Sequence, residues 1–293
     1  MKPVVTPLHP RFVAKITAVD LSKAIGKDIQ RAIEHAMDVY AVCVLPAQHL
    51  TDEQQIAFSC LYGPLEIQRV FTLNTRLEHR EIFDVSNLDT DGVIRNENDT
   101  YSAFARGNQL WHTDNSFRQE SATWSMLHAK VIPPEGGDTE FTDTRAAYDG
   151  LPDAMKTRLE GLVAEHSLWH SRAKLGGYVP TEEERRSLLS ARHKVVRRHP
   201  GSGRNALYIA AHASHNVGMP IEEGQALLDE LIEFATQLQF VYRHKWQVGD
   251  LVIWDNRCTM HRATPYSMAG YVRDLRRTTI TDTAEVPVVA AGA

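Results

Sequence analysis

Cysteine is scarce in this sequence. The 293 residues hold three, Cys43, Cys60 and Cys258, far apart and without a C-x-x-C pair. That excludes a disulfide scaffold and a cysteine-based zinc module, and it reads as reduced structural thiols in a cytoplasmic protein. Long apolar runs are also missing. No stretch of about 18 apolar residues occurs, so no transmembrane helix is expected. The segment Met1 to Asp20 has no continuous apolar core of the kind a signal peptide needs. Positive charge is not in excess: 32 Lys and Arg against 37 Asp and Glu give a net charge of −5. This argues against nucleic acid or an anionic membrane as partner. Repeats, low-complexity tracts and linkers are absent, so one domain over 1–293 is expected.

What is present is an ordinary globular composition, 43% hydrophobic and 24% charged. A chain this long buries roughly three quarters of its unfolded surface and needs no metal staple to fold. Any metal should therefore serve chemistry, and fourteen histidines make such a site worth seeking.

The pattern predicts strands at 11–20, 41–46, 81–86, 124–132, 138–142, 206–211, 238–246, 250–255 and 273–282. It predicts helices over 21–39, from an N-cap at Thr51 to about Tyr62, over 144–165 and over 221–236. Residues 65–110 are polar and turn-rich, a long connection of the kind that forms functional lids. A β-rich core with helices added at the ends fits this order.

The run Trp111-His112-Thr113-Asp114 carries the chemistry. On an extended segment residues two apart share a side, so His112 and Asp114 can hold one ion together. By itself H-x-D is a weak signal, since a surface turn gives the same pair. The segment Trp254-Asp255-Asn256-Arg257, His261 shortly after it, and Arg273 beyond that add context. Two imidazoles and one carboxylate form the facial triad of non-haem Fe(II) oxygenases, which leaves positions open for exchangeable ligands.

At these residues the sequence resembles the Fe(II)/2-oxoglutarate-dependent dioxygenases of the taurine dioxygenase superfamily, and within it the branch that cleaves aryloxyalkanoates. The resemblance covers nearly the whole chain and includes NQLWHTDNSF (108–117), PPEGGDTEFTDTRAAYD (133–149), HPGSGRNALYIAAHASHNVGMP (199–220) and QFVYRHKWQVGDLVIWDNRCTMHRATPY (239–266). It implies a mainly β fold with flanking α-helices around a double-stranded β-helix (jelly-roll, cupin-like) core. It implies His112, Asp114 and His261 as ligands of Fe(II), and Thr139 and Arg273 as the pair that binds 2-oxoglutarate. O2 is the other co-substrate. A guanidinium fork and a hydroxyl suit a carboxylate.

Arg277 lies four residues after Arg273, on the same face of an extended strand, and is the candidate for the anionic end of the substrate. Arg276 should point the other way, to surface or packing. The resemblance adds Asn108 and His212 to the substrate side. For His199 and His215 a packing or surface role is the better reading. Trp111 and Trp254 are expected to pack around the ligand segments, Cys258 to be packing, and Gly201-Ser202-Gly203 to be a β-turn rather than a phosphate loop. Residues 67–108 are expected to form a lid or insert. The implied reaction is hydroxylation of the ether-adjacent carbon of aryloxyalkanoates such as 2,4-dichlorophenoxyacetate, giving a phenol and glyoxylate with succinate and CO2. The partner is then a small anionic aromatic substrate, and a homo-oligomer is expected. The alternatives are a dioxygenase for taurine, alkylsulfonates or another small acid, and a non-catalytic jelly-roll that binds a small acid.

Overall fold

The computed structural model describes residues 2–68, 76–176 and 178–283. The first half runs β1 (Val4–His9), β2 (Val13–Thr17), α1 (Lys27–Tyr40), β3 (Val42–Leu45), α2 (Asp52–Ser59), β4 (Phe83–Ser86), α3 (Thr100–Ala105), β5 (Ala122–Val131) and β6 (Thr139–Asp143). Then come α4 (Thr144–Gly150), α5 (Asp153–Leu159), β7 (Val163–His166), α6 (Leu168–Leu175), α7 (Glu182–Ser187), β8 (Ala191–Lys194), β9 (Val196–Arg198), β10 (Asn205–Leu207) and β11 (Ala213–Asn216). The chain continues with α8 (Ile221–Ala235), β12 (Val241–His244), β13 (Leu251–Asp255), β14 (Thr259–Ala263) and β15 (Asp274–Thr281).

Among the described residues, seven strands form one sheet in the order β1-β2-β3-β13-β5-β15-β4. Strands β12-β6-β14 form a second sheet, and two small sheets, β11-β7-β8 and β10-β9, lie outside these. The central strands of the large sheet are buried on both faces, and the period of two sorts their side chains. Cys43, Leu45, Trp124, Met126, Leu251 and Ile253 pack with Ile33 and Met37 of α1 and Phe58 of α2. Val42, Val44, Leu127, Val252 and Trp254 point the other way and meet Phe141 of β6. That explains why β13 reads as a continuous apolar run. Each such large side chain contributes about 1.5–3 kcal/mol by leaving water. Two facing sheets with helices outside them make the expected jelly-roll with flanking helices.

Several elements follow local signals. Thr51 caps α2 with a full capping box to Gln54. Others differ from the sequence reading. The helix expected over 144–165 is two helices and a strand, because Pro152 has no N–H and Leu151 before it is extended. Helix α1 starts at Lys27 instead of residue 21. The strand expected at 206–211 spans Asn205–Leu207; beyond it the backbone turns to bond the site, Ala211 N–H donating to Trp111 O at 2.8 Å. The segment at 238–246 opens with a 3-10 turn at Leu238–Phe240 before β12. Strand β1 precedes the first strand expected, and β14 was not foreseen. The connection 65–110 contains the short helix α3 besides β4. Part of the expected lid, 69–75, lies outside the described residues.

Candidate active site

Strand β14 and the segment before β5 place the first two histidines. His112 N–H donates to His261 O at 3.0 Å and His261 N–H donates to His112 O at 2.8 Å. This two-way bridge puts the rings 4.1 Å apart. The His112 Nδ1–Leu110 O contact of 2.8 Å fixes that ring with Nε2 turned inward. His112 Nε2 is 4.0 Å from Asp114 Oδ1, and His261 Nε2 is 3.9 Å from Asp114 Oδ2. The three ligand atoms lie within 4.8 Å of one another. Neither Nε2 has another hydrogen-bond partner among the described residues.

The donor set fits a ferrous ion. Burial holds both imidazoles below their usual range, so they are neutral and can offer lone pairs. Burial alone would raise the Asp114 carboxyl. Arg277, His261, His112 and the Ser125 hydroxyl outweigh it and hold the group at about 2. Ser125 Oγ donates to Asp114 Oδ2 at 2.7 Å, and Asn256 Nδ2 donates to that Oγ at 3.0 Å. Asn256 Oδ1 accepts from Asp114 N–H at 3.2 Å and from Trp254 Nε1 at 3.0 Å. Thus Ser125 and Asn256 orient the carboxylate, roles the sequence reading missed although Asn256 sits inside the quoted segment.

These atoms open into a cavity of about 300 Å³ that Thr139, Arg273, Arg277, Asn108 and His212 also line. Its size suits a small ligand. Arg273 is 6% exposed and its Nε and Nη2 both donate to Gly137 O, at 3.2 and 3.1 Å. A Cβ on Gly137 would sit 3.2 Å from that Nε, and φ is +68° there, so glycine suits this close approach. Thr139 Oγ1 accepts from Trp246 Nε1 at 3.0 Å, which leaves its hydroxyl hydrogen to donate into the cavity. Leu275 and Arg277 alternate with Arg276 along β15, and Arg273 immediately precedes that strand, before a register shift between Asp274 and Leu275. Arg277 Nη1 donates to Asp114 Oδ1 at 2.5 Å, beside the metal position. Arg276 faces away, 8% exposed, with Nη2 3.2 Å from Asp274 Oδ2.

Asn108 stands on the 3-10 turn Arg106–Gln109. His212 is buried, 6.0 Å ring to ring from His112, and its Nδ1 is 2.9 Å from Ser171 Oγ. The structure does not bring His199 or His215 into this group. His199 pairs with Asp255 at 3.0 Å, and His215 Nδ1 meets Ser214 Oγ at 3.0 Å. Trp254 lies 4.7 Å from the His261 ring, Trp111 lies under Arg262, and Cys258 packs with Ala41 and Ala206. Gly201-Ser202-Gly203 is the loop between β9 and β10, with Gly203 N–H donating to His199 O at 2.9 Å. Glu66 and Arg172 also line the cavity and were not foreseen. Glu66 accepts from Asn115 Nδ2 at 2.6 Å and pairs with Arg118 at 3.2 Å.

Comparison with known proteins decides the family. The taurine catabolism dioxygenase TauD, TfdA family matches residues 5–279. The chain belongs to that family. Within the TauD, TfdA family it is 48% identical over 290 residues to an alpha-ketoglutarate-dependent 2,4-dichlorophenoxyacetate dioxygenase of Cupriavidus pinatubonensis, covering 98% of this chain and 100% of that protein. It is 38% identical to a (S)-phenoxypropionate/alpha-ketoglutarate-dioxygenase of Sphingobium herbicidovorans, covering 90% of each. The crystal structure of AAD-2 in complex with Mn(II) and N-oxalylglycine superposes with a TM-score of 0.93 at 43% identity, over 97% of this chain and 99% of that one.

Proposed function

We propose that this family member hydroxylates the ether-adjacent carbon of aryloxyalkanoates such as 2,4-dichlorophenoxyacetate. It is a 2-oxoglutarate-dependent dioxygenase. The observation that carries the substrate reading is the placement of Arg277: its guanidinium sits 2.5 Å from the carboxylate of Asp114, in the cavity that Arg273 also lines. An acid held there lies beside the metal, and the two arginines can serve different anions.

His112, Asp114 and His261 would hold Fe(II). Bound there with 2-oxoglutarate and O2, the ion would supply an oxidation strong enough to hydroxylate a C–H bond, with succinate and CO2 as the co-products. Arg273 and Thr139 hold the distal carboxylate of 2-oxoglutarate in a dry site, where charge-assisted hydrogen bonds are strong. Arg277, with Asn108 and His212 lining the same cavity, fixes the substrate acid so that one C–H faces the metal. Phe83, under the Arg277 guanidinium at 4.9 Å, and Phe117, 5.0 Å from the His212 ring, give apolar walls for an aryl group. The hydroxylated carbon then bears both hydroxyl and aryloxy groups. Breaking its bond to the aryloxy oxygen gives the phenol and glyoxylate.

The reading includes one catalytic domain over 1–293, with 67–108 as its lid. It also includes a cytoplasmic location, supported by three free cysteines, two of them buried. Among the described residues no helix is long and apolar enough to cross a membrane. A homo-oligomer belongs to the same reading, supported by the sheet-edge strand β1 with Val4, Val5 and Leu8 exposed. A panel of aryloxyacetates, aryloxypropionates and alkylsulfonates, scored by succinate and by phenol release, tests the substrate. Phenol formed in step with succinate supports the reading. Succinate released with alkylsulfonates alone moves the function to the sulfonate branch, and binding without succinate makes the protein a small-acid binder.

A further inference from the structure

Arg172 of α6 lines the cavity and is 6% exposed. Among the described residues its guanidinium makes no hydrogen bond and no ion pair, and its Nε is buried without a partner. It is nonetheless held in place. It lies 4.3 Å over the Phe104 ring and rests on Gly107, where a Cβ would sit 1.7 Å from its Nη1. The glycine at 107 has no unusual φ, so its small size is what this position needs. Burial, with Arg277 as the next cause, lowers the Arg172 pKa to about 10, so the group stays charged at neutral pH. Arg277 shows the same deficit. Nη1 is on Asp114, but its Nε is buried without a partner.

One buried guanidinium and one half-buried one line this cavity, each with a buried Nε that has no partner, and they leave a place for an anion. The acids nearby are engaged elsewhere. Glu66 is on Asn115 and Arg118, and Glu184 accepts from Tyr178 and from Thr181 N–H. A metal ion on Asp114 would draw that carboxylate's charge away from Arg277. We infer that Arg172 is a second cation of the substrate site, sharing the substrate's carboxylate with Arg277, and that Gly107 is the position that admits it. This rests on the aryloxyalkanoate reading and deepens it: the site is built for a compact monoanion.

The test compares phenoxyacetate with its methyl ester in wild type, Arg172→Met and Gly107→Ala. Arg172→Met keeps an apolar stem on Phe104 and removes the charge. Gly107→Ala keeps the charge and displaces it. Binding is read by titration calorimetry on the anaerobic Fe(II) and 2-oxoglutarate complex, and kcat/KM is read by succinate and phenol. Both variants should lose at least ~30-fold in preference for acid over ester, the effect of removing one partner of a desolvated charge pair. Arg172→Lys should recover part of that preference. If acid and ester fall equally in Gly107→Ala and in any folded Arg172 variant, Arg172 is packing and the shared site is wrong, while the substrate reading stands. If wild type neither binds nor converts any aryloxyacetate, both are wrong.

Discussion

Among the described residues, two buried clusters of three possible metal ligands combine histidine with aspartate, and only one has the makings of a metal centre. In the first, His112, Asp114 and His261, both imidazoles turn a free Nε2 toward the carboxylate from about 4 Å. In the second, His199, Asp255 and Cys258, the carboxylate is already saturated. Asp255 accepts from Arg257 N–H, Nε and Nη2, from Trp124 Nε1 at 2.9 Å and from His199 at 3.0 Å. Burial alone would raise the Asp255 carboxyl, but Arg257 and His199 hold it well below its usual range; burial keeps the Cys258 thiol protonated. A carboxylate with every lone pair taken ties elements together, and one left partly open by its histidines can take an ion. The histidine and aspartate that both groups share do not separate them. The count of competing donors does.

The sharpest way to break this comparison is to remove each carboxylate. Asp114→Ala should abolish turnover while the protein still melts cooperatively; near-normal activity in the iron-loaded variant would undo the triad. Arg273→Ala should raise the KM for 2-oxoglutarate several hundredfold, since losing one partner of a buried charge pair costs about 3–5 kcal/mol. An unchanged KM would remove Arg273 from this role. Asp255→Ala should cost about 3–5 kcal/mol of stability in urea by leaving Arg257 unpaired, with iron still bound. Stability should also fall with acid. His128 and His193 sit at about 4 in the folded state against 6.5 unfolded, chiefly because of burial. Between those values the unfolded chain binds more protons, so the stability present above pH 6.5 is lost as pH drops toward 4. A urea midpoint unchanged over that window would contradict it. The smallest effect expected is Thr139→Val, about 1 kcal/mol, read as a several-fold rise in the KM for 2-oxoglutarate alone.

The sequence made the metal end of the site readable because its signals are short-range. The H-x-D spacing, the period of two from Arg273 to Arg277, and the apolar run before Asp255 all survive in one dimension. The capping box at Thr51 and the helix over 221–235 were readable for the same reason. The substrate wall was not. Arg172 and Gly107 meet across 65 positions, and Asn256 reaches Ser125 and Asp114 across more than 130. No local pattern marks such pairs. Strand β14 escaped notice because its TMHRA sequence mixes polar and apolar residues, although it pairs with β6 and carries His261.

The central claim is that the open carboxylate, and not the saturated one, holds the ion. Anaerobic titration of Fe(II) into wild type, Asp114→Ala and Asp255→Ala, read by calorimetry, tests it directly. The account predicts one ferrous ion per chain in wild type and in folded Asp255→Ala, and none bound tightly in Asp114→Ala. Tight binding that persists in Asp114→Ala but disappears in folded Asp255→Ala would contradict it.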